Sequence, residues 1–136
     1  MSARPIPPTS ELTAPYWEAA RRGVLVVQRC GACDERPFPP RARCPRCGAD
    51  ALAWAAVSGR GTVHSYTVAQ RAPHPVFEGQ LPLVVAIVEL EEGPRLLTNL
   101  LGCDPAAVEV GMPVEVAFEP IDDSEMVLPV FTPARA

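Results

Sequence analysis

Hydrophobic and polar positions divide the chain into stretches of different character. Residues 1–12 show no periodicity and carry Pro5, Pro7 and Pro8, so they read as an extended tail. Residues 13–23 (TAPYWEAARRG) read as a short helix. Thr13 is placed to cap it, Pro15 suits its first turn, Arg21 and Arg22 suit its C-terminal end, and Gly23 stops it. Tyr16, Trp17 and Ala20 share one face, and two large aromatics exceed what so short a helix buries alone. They pack on the body of the protein or dock a partner. Val24 to Arg29 and Leu52 to Val57 have strand character, and residues 24–57 read as a small three-stranded ribbon.

After the turn Ser58-Gly59-Arg60-Gly61 the pattern is all strand. Residues 61–69 alternate, with Val63, Ser65 and Thr67 on one face and Thr62, His64, Tyr66 and Val68 on the other. Pro82 to Leu90 is strongly apolar, with Glu89 its one charge, as a central strand would be. Arg95 to Leu101 is its hairpin partner across Glu91-Glu92-Gly93-Pro94. Val114 to Glu119 and Glu125 to Val130 complete five strands. The fold class is therefore mostly β: a short N-terminal helix, a small ribbon and a five-stranded barrel. The OB-fold is the commonest such barrel, although spacing alone does not prove it. The implied domains are 1–23 (tail and helix), 24–57 (ribbon) and 58–136 (OB-fold).

Charge separates the same two halves. The 136 residues include 12 Arg, no Lys and 16 acids, for a net charge of −4. Residues 1–71 hold 10 Arg against 5 acids, and residues 72–136 hold 2 Arg against 11 acids, giving +5 and −9. An acidic barrel half argues against nucleic acid as the ligand. No apolar run reaches the roughly 18 residues of a membrane span. The first residues lack the apolar stretch of a signal peptide, so the expected location is the cytoplasm.

Chemistry concentrates in the cysteines. Four of the five form Cys30-Gly31-Ala32-Cys33 and Cys44-Pro45-Arg46-Cys47-Gly48, with ten residues between the pairs. Two residues between thiols let one tight turn aim both sulfurs at one metal, and this spacing fits a tetrahedral Zn²⁺ site. Gly31 and Gly48 fit the turns. Four thiolates leave no open position, which makes the site structural. Two disulfides or a redox pair are the alternatives. Cys103 has no basic neighbour to activate it and reads as packing. Of the two histidines, His64 lies mid-strand and His74 lies in the long segment 71–80. No nucleophile–base set, GxSxG elbow or phosphate loop is present in the sequence.

The ordered run of motifs resembles the family called domain of unknown function 35. The resemblance spans roughly residues 14–132. It rests on Tyr16-Trp17-Glu18, the two cysteine pairs, Phe38-Pro39-Pro40-Arg41, Ser58-Gly59-Arg60-Gly61-Thr62-Val63, residues 82–90, and Gly111-Met112-Pro113-Val114. It implies a rubredoxin-like zinc ribbon, an OB-fold and a partner. Family members are accessory subunits of thiolase-like enzymes acting on acyl-CoA thioesters, and the partner supplies the catalytic residues. Known settings are steroid side-chain retro-aldol cleavage, acyl transfer and hydroxymethylglutaryl-CoA synthesis. The resemblance therefore implies a hetero-oligomer, with two copies of each chain, and a CoA thioester shared with the partner. Arg41, Arg60 and Arg71 are candidate CoA contacts, since guanidinium pairs well with phosphate. His74 and Phe77 are candidates to line an acyl channel, and Tyr16 and Trp17 to dock the partner. Competing readings are a single-stranded nucleic-acid-binding module and an independent acyl-CoA thioesterase.

Overall fold

The computed structural model describes residues 7–72, 75–122 and 124–134, with the backbone alone for 76–78. The leading helix α1 runs Ala14–Arg21 and buries Ala19 and Ala20. Thr13 precedes it, but its backbone is already helical and its hydroxyl makes no cap. That hydroxyl instead accepts from the Ser10 backbone N–H at 3.0 Å.

The ribbon has two strands, not the expected three. β1 (Val26–Cys30) pairs antiparallel with β2 (Leu52–Ala56), from Val26 opposite Ala56 to Cys30 opposite Leu52. The segment between them holds Pro37, Pro39, Pro40 and Pro45. Each proline removes a backbone donor, which denies a third strand its ladder.

Five strands follow: β3 (Arg60–Ala69), β4 (Leu83–Leu90), β5 (Arg95–Asn99), β6 (Pro113–Pro120) and β7 (Val127–Pro133). They form one antiparallel sheet in the order β5-β4-β3-β6-β7. A parallel bridge between Leu100 and Phe131 closes the two ends on each other. This is the connectivity of an OB-fold. The last strand begins two residues later than expected, because Ser124 to Met126 make a turn. There the Met126 N–H donates to the Ser124 hydroxyl at 3.0 Å. The long connection from β3 to β4 contains a 3₁₀ helix, Pro75–Gln80.

The simple alternation expected for β3 fails at one point. Val63 pairs with Val88, but the next partner on β4, Ile87, pairs with Ser65, so His64 is an extra residue. A bulge of this kind bends the strand and switches which side chains face inward. Gly61 and Val63 lie opposite the buried Leu90 and Val88, while beyond the bulge Tyr66 and Val68 lie opposite the buried Ala86 and Val84.

Ribbon and barrel share one core. Leu25 and Val27, from the ribbon end, sit in the same buried cluster as Val63, Val88, Val114 and Phe131. Tyr16 and Phe38 pack against that cluster, as does the half-buried Cys103.

Candidate metal centre

The two cysteine pairs converge. The sulfurs of Cys30, Cys33, Cys44 and Cys47 all lie within 4.8 Å of one another. Cys30 Sγ is 3.6 Å from Cys47 Sγ, and Cys33 Sγ is 3.6 Å from Cys44 Sγ. A tetrahedron with metal–sulfur bonds of about 2.3 Å has edges of about 3.8 Å. The cluster matches that geometry, and all four cysteines are free thiols.

Both knuckles are built the same way. The Asp34 N–H donates to the Cys30 carbonyl at 2.9 Å, and the Gly48 N–H donates to the Cys44 carbonyl at 2.9 Å. Each donor residue sits in the left-handed region, Gly48 at φ 76° and Asp34 at φ 64°. Gly48 therefore has the role expected of it. Gly31 does not; in the first knuckle Asp34 makes the left-handed turn. Arg29 holds the Asp34 carboxylate at 2.8 Å. The Ala32 N–H points at Cys30 Sγ, 3.4 Å away. Backbone N–H groups of Cys47 and Arg46, together with the neighbouring thiols, bring the Cys44 thiol down to about 7 despite local burial.

A residue that sequence reasoning passed over fixes the strap between the knuckles. Gln28 is only 4% exposed. Its amide donates to the Arg41 carbonyl at 2.9 Å and accepts from the Arg41 N–H at 2.7 Å. The signal was a polar residue directly after the apolar run Val24-Leu25-Val26-Val27, in the strand that leads to Cys30.

The other candidate residues are scattered. Arg41 is exposed on the strap. Arg60 opens β3, and Arg71 lies two residues beyond its far end. Arg60 is engaged with Glu91, 3.2 Å from Nε to Oε1. Phe77 lies in the 3₁₀ helix, where only the backbone is described, and His74 lies outside the described residues. Tyr16 is half-buried, with its ring centroid 4.9 Å from Trp17, 5.7 Å from Phe38 and 6.5 Å from Trp54. Its burial raises the phenol pKa. This aromatic group joins the helix to the ribbon.

Residues 17–53 match the family described as the ChsH2 rubredoxin-like zinc ribbon domain, and residues 54–119 match the ChsH2 C-terminal OB-fold domain. The chain belongs to the DUF35/ChsH2 family. Among curated relatives, a probable enoyl-CoA hydratase alpha subunit of Thermomonospora curvata is 47% identical over 131 residues, covering 96% of this chain and 40% of that protein. This chain therefore spans well under half of that relative's length. A 3-oxo-4,17-pregnadiene-20-carboxyl-CoA hydratase alpha subunit of Mycobacterium tuberculosis is 38% identical, covering 82% of this chain and 35% of that protein. A DUF35 domain-containing scaffold protein of Methanocaldococcus jannaschii is 40% identical, covering 75% of this chain and 72% of that protein. A chain of the solved Ltp2-ChsH2(DUF35) aldolase superposes with a TM-score of 0.84 at 45% identity, covering 94% of this chain and 98% of its own. Among the described residues, no helix is long and apolar enough to cross a membrane.

Proposed function

We propose that this chain is a non-catalytic accessory subunit of a thiolase-superfamily aldolase acting on an acyl-CoA thioester. The observation that carries this reading is the likeness, over nearly the full length of both chains, to the ChsH2(DUF35) chain of the Ltp2-ChsH2(DUF35) aldolase. The relative named as a pregnadiene-carboxyl-CoA hydratase subunit supports a steroid or lipid side chain as the acyl group. The reaction is then a retro-aldol cleavage of a β-hydroxyacyl-CoA. The β-hydroxyl loses its proton, the Cα–Cβ bond breaks, and the thioester enolate takes up a proton to leave a ketone and a shortened acyl-CoA. The partner subunit supplies the groups that move these protons. The present chain supports the assembly and borders the CoA and acyl channel.

Zn²⁺ fits the four sulfurs and serves here as a structural ion. It locks the two knuckles and, through Gln28 and Arg41, the strap between them. Arg41 and Arg71 are the candidates for CoA phosphate contact, while Arg60 is first an ion-pair partner of Glu91. The test is a tagged pull-down from the source cell with mass spectrometry. Recovery of a thiolase-like subunit is expected. Recovery of the chain alone, or with nucleic acid, contradicts the reading.

A further inference from the structure

The apolar character of β4 exceeds what this chain covers. Val84, Ala86, Val88 and Leu90 face the barrel core and are buried. Val85 and Ile87, between them, point to the outside and are only half-buried. On the neighbouring strand Leu97 lies opposite Ile87 and is 73% exposed. An antiparallel sheet with one solvated face normally alternates apolar and polar residues. Here Val85, Ile87 and Leu97 form an apolar patch on that face, with the Glu89–Arg95 pair at one end and Asn99 at the other.

Three hollows meet at Leu97. One of about 450 Å³ lies towards Phe38 and Pro39 of the ribbon strap and includes His64. One of about 210 Å³ lies over Ser65 and Thr67 of β3. One of about 300 Å³ lies towards Leu128 and Pro129 of β7. The half of the chain from residue 72 carries 11 acids, yet among the described residues none of its carboxylates lines any of the three. The charged group at their border, Arg95, is held by Glu89 at 3.4 Å.

We infer that the outer face of β3, β4 and β5, centred on Leu97, is where the thiolase-like subunit docks. This rests on the accessory reading above. The occupant is a protein surface with apolar side chains that project into the hollows and little net charge. A second copy of the chain is the poorer fit, because a self-paired face would set hollow against hollow and leave voids. The named Ltp2 complex of the 45% identical relative favours a different polypeptide as the cover. An apolar residue at the centre of such an interface carries a large share of the binding energy.

The probe is purified Ltp2, titrated with the full chain. Leu97→Arg is expected to weaken binding at least tenfold, and Leu97→Gln by a smaller factor. Val110→Arg, at another exposed apolar position (67%) outside the three hollows, is expected to stay within twofold of wild type. All three variants should keep the wild-type melting temperature and metal content, since both positions are exposed. If wild type binds and Leu97→Arg binds equally well, the docking face is wrong while the accessory reading stands. If wild type binds neither Ltp2 nor any thiolase-like subunit recovered from the source cell, the accessory reading fails and takes the docking face with it. A dimer of the chain alone that Leu97→Arg converts to monomer would make this face a self-interface and overturn the proposal.

Discussion

Single residues hold the joints of this molecule. Gly61 sits where β3 crosses β4. A Cβ there would overlap the Glu89 carbonyl oxygen and come within 2.9 Å of Val88 Cγ1. Backbone cannot yield as a flexible side chain does, so Gly61→Ala should cost about 2–3 kcal/mol, read from denaturant unfolding. Gln28→Ala strands both the N–H and the C=O of Arg41, groups that lie part-buried. The expected loss is about 2–3 kcal/mol, from two unsatisfied groups. Gln28→Glu should cost at least as much as Gln28→Ala, because it buries a carboxylate with one oxygen set against the Arg41 carbonyl oxygen. By contrast, Arg60→Ala should leave the unfolding midpoint almost unchanged, because its pair with Glu91 is exposed.

At the scale of elements, the proposed structural metal should decide whether the ribbon holds together. β1 and β2 are five residues each, too short to be stable as an isolated hairpin. Chelation, or Cys33→Ser, should therefore loosen the knuckles and disturb the packing of Tyr16 against Trp54 and Phe38. Trp fluorescence and near-ultraviolet circular dichroism should both change. Unchanged spectra after complete metal removal would contradict a structural metal. The four ligands were legible in the sequence because metal geometry enforces a short, fixed spacing. The five barrel strands were legible from their short apolar or alternating runs, most of them set off by Gly or Pro. The bulge at His64 was not, since one extra residue leaves no mark on an alternating pattern and shows only against the partner strand. The third ribbon strand was expected from strand-like flanks, but four prolines in the intervening segment outweigh them. Asp34 in the left-handed turn was hidden because glycine is the usual signal for that conformation, and Gly31 stood nearby.

For the molecule as a whole, the charge split suggested two separate units, yet Leu25 and Val27 lie in the same buried cluster as Phe131. Heating should accordingly give one cooperative transition, and metal removal should lower that single midpoint rather than split off an early one. The aromatic helix face, a candidate for docking, is largely occupied within the chain by Tyr16. The outer sheet face at Leu97 was invisible in the sequence, because a strand as apolar as β4 reads as buried on both sides whoever provides the second cover. The account comes down to assembly. The most direct test is the light-scattering mass of the full chain mixed with purified Ltp2 and separated by size. The account predicts a single species containing two copies of each polypeptide. Two peaks, each at the mass of its own component, would contradict it.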